Sequence, residues 1–421
     1  MSPFESGTLD VAAEPAARAP VVAPHPWVWF VLYFPFGMSF GFPSIALGYL
    51  AVRAGVPVAA VAGVVGMSLL ASGWKFVWAP IGDYTLSRKK WYLLATGLVS
   101  AGCITMTAVP LSMRTVPLLS LLVLATAVSA TFVAFATEGL MVHNCSPVER
   151  GRAAAWFESG NHFGQTAGGG LALYFMEHAP APWMGGCLLA VVLFACAVPL
   201  LLVEEPPRAL HGASVRARAA DAWRELGTVV RSRAGRIALI LAILPIGTGA
   251  AHDLFGSLGP EWHAPADMVS LVLGLGGGIA IILGCFAGGW LADRIHKPTA
   301  YAASGGLGLA ACVLMAWSPR TEMGYAATTL FYSFTLGMCA ASFMAMALGI
   351  IGRSAAATKL NLFIALNTLF SLAMLQGVGW VHDGWGTDAM LYTEALAGVA
   401  ALVVFAALAR RIPGTVIAEE G

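Results

Sequence analysis

Ionisable and amide side chains stand where the surrounding sequence is almost wholly apolar. Glu138 lies in the run 115–143, and Glu158, Asn161, His162 and Gln165 lie in the run 153–177. Glu158, His162 and Gln165 follow i, i+4, i+7, one stripe of a helix, with Asn161 at its edge. His252 and Asp253 fall about 23 Å along the run 237–259, at ~1.5 Å per residue. Being adjacent, they cannot share one helix face. Tyr332 lies in the run 323–350, Asn361 and Asn367 in 358–382, and Lys75 near the end of 56–79. An ionisable group inside a bilayer costs about 2.5–3.5 kcal/mol by insertion scales, so each needs a reason. A carboxylate in a water-accessible cavity, tuned between burial and a nearby Lys or His, can carry a proton. The other reading is a satisfied polar network between helices. Glu138 and Glu158 are read as candidate proton carriers. His162, Asn161, Gln165, His252, Asp253, Tyr332, Asn361 and Asn367 are candidates for substrate or proton contact. Lys75 reads as a snorkelling charge partner. Glu394, in the last apolar run, receives no role.

The elements that must position these groups are spans. Of 421 residues, 58% are hydrophobic and 11% charged, against roughly 25% charged in a soluble chain. At ~20 apolar residues per span, about twelve membrane helices fit. Apolar runs fall near 27–52, 56–79, 91–113, 115–143, 153–177 and 184–203, then near 237–259, 268–292, 299–318, 323–350, 358–382 and 388–409. This gives an all-α integral membrane protein of two six-helix bundles, 27–203 and 237–409. Between them lies an Arg-rich linker, 204–236, in which Ala219, Trp223, Leu226 and Val230 recur at the spacing of a surface amphipathic helix. Residues 1–26 and 410–421 are tails, and the first lacks the basic and apolar regions of a signal peptide.

Basic residues set the orientation. The loops after the second, fourth, sixth, eighth and tenth runs, with the C-terminal tail, hold eighteen Lys and Arg; the opposite loops hold Arg53, Arg114 and Arg320. Cytoplasmic loops keep the positive excess, so both termini are expected in the cytoplasm. The net charge of +1 gives no reason for a nucleic-acid partner. Seven scattered cysteines offer no CxxC pair, so neither a disulfide framework nor a metal site is expected. No cofactor is implied, and no nucleophile elbow or HExxH motif marks an enzyme.

The halves also read as copies. Pro35 and Pro245, Gly37 and Gly247, and Asp83 and Asp293 are each separated by 210 positions. Parallel repeats of six helices rocking about a midplane site are a transporter architecture. Gly289-Trp-Leu-Ala-Asp293-Arg294 resembles the GxxxDR loop motif of the major facilitator superfamily, with Gly82-Asp83 and Arg88-Lys89-Lys90 as its looser copy. The resemblance implies that Asp83, Arg88, Asp293 and Arg294 gate the rocking of the bundles. Gly73-Trp-Lys-Phe-Val-Trp-Ala-Pro80 is similar to the Lys-Phe-x-Trp-Ala-Pro signature of the AmpG-type permeases, relatives of the acetyl-coenzyme A transporters. Gly41-Phe42-Pro43, and Glu149-Arg150-Gly151 continued through Gly160, Gly164 and Gly169-Gly170, resemble further segments of that family.

Departures mark this chain within the resemblance. Val133-Ala134 replace a Gln-Asp pair, His143 replaces an acid, and His162 stands where the family has Arg, while Glu138 keeps a later acid. The resemblance implies an integral protein of the inner or plasma membrane, expected as a monomer with the lipid bilayer as its environment. It would import a bulky polar solute, such as a siderophore, muropeptide or acyl-coenzyme A species, with protons. A facilitator that exports drugs or metabolites is one alternative, and a non-transporting membrane receptor is another.

Overall fold

The computed structural model describes residues 24–74, 86–145, 150–205, 240, 243–351 and 356–409. Among the described residues every regular element is helical, and eight helices are long and apolar enough to cross a membrane. The expected linker 204–236, beyond Glu205, and most of both tails lie outside the described residues, as do Lys75 and Asp83.

The chain opens with α1 (Trp27–Arg53), which widens into a π turn over Phe42–Leu47. Pro43 has no N–H to give the turn before it and crowds that turn's carbonyl, and the wider turn relieves both. There follow α2 (Val58–Gly73), α3 (Arg88–Ala108) and α4 (Val116–Asn144). Helix α5 runs from Arg150–Phe163 through a π turn, Gly164–Gly168, into Gly169–His178, and α6 is Pro182–Leu202.

The seventh run departs from the sequence expectation of one helix over 237–259. From Leu244 to Ala251 the backbone is irregular, and regular turns start only at His252. Pro245 lacks a donor, and Gly247 (φ 62) and Gly249 (φ 70) take left-handed backbone that side chains disfavour. The stretch that follows, 252–262, is α7. Then come α8 (Ala266–Arg294, with a π turn at Ser270–Gly276), α9 (Lys297–Trp317) and α10 (Glu322–Ile351). The last helical run, Ala356–Ala409, breaks at Gly386 (φ 83), giving α11 (356–385) and α12 (387–409).

Glycine rows bring the helices close. A Cβ on Gly37 or Gly41 of α1 would lie 2.0 Å from the Asn161 carbonyl oxygen or 1.7 Å from that of Gln165 on α5. On α8, Gly284 and Gly288 meet the α10 backbone in the same way. Small residues permit this approach where apolar attraction cannot drive association in lipid. Outward, Leu201 is 84% exposed and Phe286 74%, a surface suited to hydrocarbon rather than water. Exposed Trp183, Trp290, Trp317 and Trp380 stand near helix ends, where amphipathic rings meet headgroups.

Candidate functional site

Two polar clusters and one sealed end define the molecule. Alternation of the helices puts Trp27, Arg88, Arg150 and Arg294 at one end, the near face. It puts Ala54, His178, Trp262 and Trp385 at the other, the far face.

At the far face the first and second halves of the chain are joined. Asp383 of α11 accepts from the backbone N–H groups of Val58 and Ala59 at the start of α2, both at 3.0 Å. Gln376 donates to the Ala62 carbonyl at 2.7 Å, and Ser270 of α8 donates to the Gly170 carbonyl of α5 at 2.7 Å. There the backbones nearly touch, since a Cβ on Gly170 would lie 2.7 Å from the Gly274 Cα. Tyr49 donates to the Ala264 carbonyl, and His178 faces Asp267 at 3.5 Å. Within the second half, Glu261 accepts from Thr387 and shares a 2.8 Å hydrogen bond with His382 Nε2, whose Nδ1 lies 3.2 Å from Asp383. Burial pushes the Glu261 carboxyl up, but hydrogen bonds from His382 and Thr387, with the charges of His382 and Arg320, outweigh it. They hold Glu261 below the ordinary glutamate range.

Toward the near face stands the first polar cluster. Glu158 on α5 is exposed, yet it stands within electrostatic reach of Tyr33 on α1, His162 on its own helix and Cys285 on α8. A helix of each half thus stands beside it. Asn161 donates to Glu158 at 3.5 Å, and Glu138 on α4 also lies within electrostatic reach of Tyr33. Tyr33 stacks on Phe157 at 3.5 Å between ring centroids. Of the expected stripe of Glu158, His162 and Gln165, His162 lies within electrostatic reach of Glu158, and Asn161 at its edge is hydrogen-bonded to it. Gln165 falls inside the π turn, so its register follows the wider spiral, and its backbone rests against Gly41.

The second cluster was not foreseen. Glu394, given no role on sequence, is only 5% exposed and lies at the centre of α12, α10 and the irregular stretch before α7. Oε1 accepts from the Tyr332 hydroxyl at 3.0 Å and the Thr248 hydroxyl at 3.2 Å, while Oε2 accepts from the Ala251 N–H at 3.0 Å. Asp253 lies within its electrostatic reach, and Cys312 Sγ is 3.9 Å from Oε2. His252 stacks on Tyr332 and shares a 2.9 Å hydrogen bond with Ser333. The structure thus brings His252, Asp253 and Tyr332 to one place, around an acid the sequence reading set aside. The signal was present. A lone acid in an intramembrane run is a functional candidate by default.

The remaining candidates scatter. Arg88 begins α3 and donates to the Phe135 carbonyl of α4 at 3.4 Å, while Glu205 accepts from the Arg88 and Lys89 N–H groups at 2.7 and 3.1 Å. Arg294 lies over the Trp290 ring at 4.2 Å, and Asp293 beside it is exposed. Asn367 is partly buried on α11; Asn361 sits on the same helix, with its side chain outside the described set. Among the described residues no His, Cys, Asp or Glu group could hold a metal ion, and the cysteines are free.

The sequence pattern of the Major Facilitator Superfamily matches residues 29–358. The chain belongs to that superfamily. It is an integral multi-pass protein of the inner or plasma membrane and a member of a transporter superfamily, not an enzyme. It is 27% identical over 341 residues to the anhydromuropeptide permeases of Escherichia coli strains K12 and O157:H7, an alignment covering 74% of this chain. The alignment spans 66% of those permeases' length, just under two thirds. Among solved structures, the nucleoside transporter NupG superposes with a TM-score of 0.70 at 13% identity, covering 91% of this chain and 98% of that one. A POT family transporter in complex with 5-aminolevulinic acid gives 0.71 at 10% identity, covering 92% and 96%. At such identities the agreement is one of fold.

Proposed function

We propose that this facilitator-superfamily protein is a secondary active transporter that imports a bulky polar solute with protons by alternating access. It has twelve spans in bundles 27–203 and 237–409, and both termini lie in the cytoplasm. The near face is then cytoplasmic, in keeping with the eighteen basic residues on that side, and the form described is sealed outward and accessible inward. One observation carries the reading: Glu158 stands beside helices of both halves, with Asn161, His162 and Tyr33 around it, while the far face is closed by contacts between the halves. Siderophore, muropeptide and acyl-coenzyme A species are the solute class, and the likeness to the anhydromuropeptide permeases supports it.

A proton on Glu138 or Glu158 removes a charge that opposes closing the cleft around a solute, so proton and solute together favour the occluded form more than either alone. Proton-driven accumulation in vesicles tests this. E158Q and E138Q are expected to abolish accumulation against a gradient while leaving solute exchange at equal pH. Full proton-driven accumulation by both variants would remove these carboxylates from the mechanism.

A further inference from the structure

The structure assigns a second proton-binding site, Glu394, to the irregular stretch ahead of α7. We propose that ionised Glu394 holds residues 248–251 in the broken form described here, and that protonation frees them to move against α12.

Four donors converge on this buried carboxylate, and two of them belong to the stretch it holds: the Thr248 hydroxyl and the Ala251 N–H. Pro245 and the left-handed Gly247 and Gly249 keep the stretch from coiling, so the Ala251 N–H depends on a partner outside its own helix. Tyr332 of α10 supplies the third, and the Cys312 thiol of α9, at 3.9 Å, the fourth. The titratable groups facing Glu394 are Asp253 and His252 from the α7 side, Cys312 from α9 and Tyr332 from α10. Among the described residues no Lys or Arg forms an ion pair with it. The negative charge therefore rests on neutral donors, with a second carboxylate in reach. A cavity of about 20 Å³ borders the site, lined by Pro245, Gly247, Ser304, Gly308, Cys312 and Glu394 itself. That is room for about one water, a relay for a proton.

The proton changes the hydrogen bonding directly. A carboxylate accepts at both oxygens; once Oε2 carries a proton it becomes a donor and a far weaker acceptor for the Ala251 N–H. The anchor on the stretch is then lost at the residue where the helix resumes. The idea extends the transporter reading, but its test needs no solute and stands apart from the vesicle assay.

The experiment is a pH titration of the purified full chain in lipid nanodiscs, read by infrared difference spectroscopy and by amide hydrogen exchange corrected for intrinsic rates. In the native protein a protonated-carboxyl band should grow on acidification, with the same midpoint at which residues 246–251 lose protection. E394Q should lack the band and show protection that no longer follows pH. If E394Q does not fold, Y332F keeps the acid and removes one donor, and it should move both midpoints together. A band that survives in E394Q, protection in E394Q that still follows pH, or a Y332F protein with both midpoints unmoved would overturn the assignment. E138Q and E158Q should leave both signals in place, so failure of the import reading stays distinguishable.

Discussion

Replacing Asp383 by Ala removes the carboxylate that holds the start of α2 from the opposite half of the chain. Pro57, which precedes α2, supplies no side-chain cap, so Val58 and Ala59 take their acceptors from Asp383, at 3.0 Å each. Loss of a helix cap costs about 1 kcal/mol and loss of a negative charge at a helix N-terminus about 0.5 kcal/mol. Asp383 is 28% exposed, so water can take over part of the bonding, and ~1.5 kcal/mol is a fair total. Because the partners belong to different halves, that energy favours the sealed far face. Losing it shifts the sealed-to-open ratio by about tenfold. Spin labels at Ala54 and Met323, both exposed at that end, report the gap in a background lacking Cys187 and Cys285, the two incompletely buried cysteines. D383A should populate a longer distance that is scarce in the parent. An unchanged distance distribution together with a lowered melting temperature would refute the reasoning, since Asp383 would then be a cap for folding alone.

Three further outcomes follow from the same geometry. Ser270→Ala loses one interhelical hydrogen bond, about 0.6 kcal/mol in membrane proteins, so the same label pair should register only about a threefold shift. The depressed Glu261 carboxyl stabilises the far face above its unfolded value of about 4.3, and that contribution is lost as pH falls through the folded value. Acidification below about pH 4 should therefore lower the melting temperature of the parent, and by more than it lowers that of E261Q. Gly41→Ala puts a Cβ 1.7 Å from the Gln165 carbonyl oxygen, which parts α1 from α5; size-exclusion profiles should show loss of monodisperse protein.

The all-helical membrane class and the family were legible because both rest on features that repeat: apolar runs of fixed length, and loop motifs with unusual residues at fixed spacing. The neighbourhood of Glu158, Asn161 and His162 was legible as well, since an undistorted helix obeys its own period, whereas Gln165 falls in a π turn that no period announces. What escaped was the asymmetry between the halves. Pro35 and Gly37 sit in a continuous helix, with Gly37 pressed on the Asn161 carbonyl. Their counterparts 210 positions on, Pro245 and Gly247, sit in broken backbone. Two residues further along the residue types part as well. Ser39 returns its hydroxyl to the Phe36 carbonyl at 2.7 Å, whereas Gly249 takes φ 70. Glu394 likewise has no partner in the first half, where Met184 stands 210 positions earlier. A reading that weighted repetition was bound to overlook residues that break it.

The crossing of α5 and α8 at Gly170 and Gly274 has one more implication. Where two helices meet without side chains, no rotamer must be unlocked before one rolls over the other, and the meeting point can serve as a fulcrum. Ser270, bonded to the Gly170 carbonyl beside it, would act as the pin through that hinge. On the proposed importer reading, everything toward the near face would move as the long arm of a lever, so that a tilt of a few degrees at bare backbone would become a gate several ångströms wide at the proposed exit.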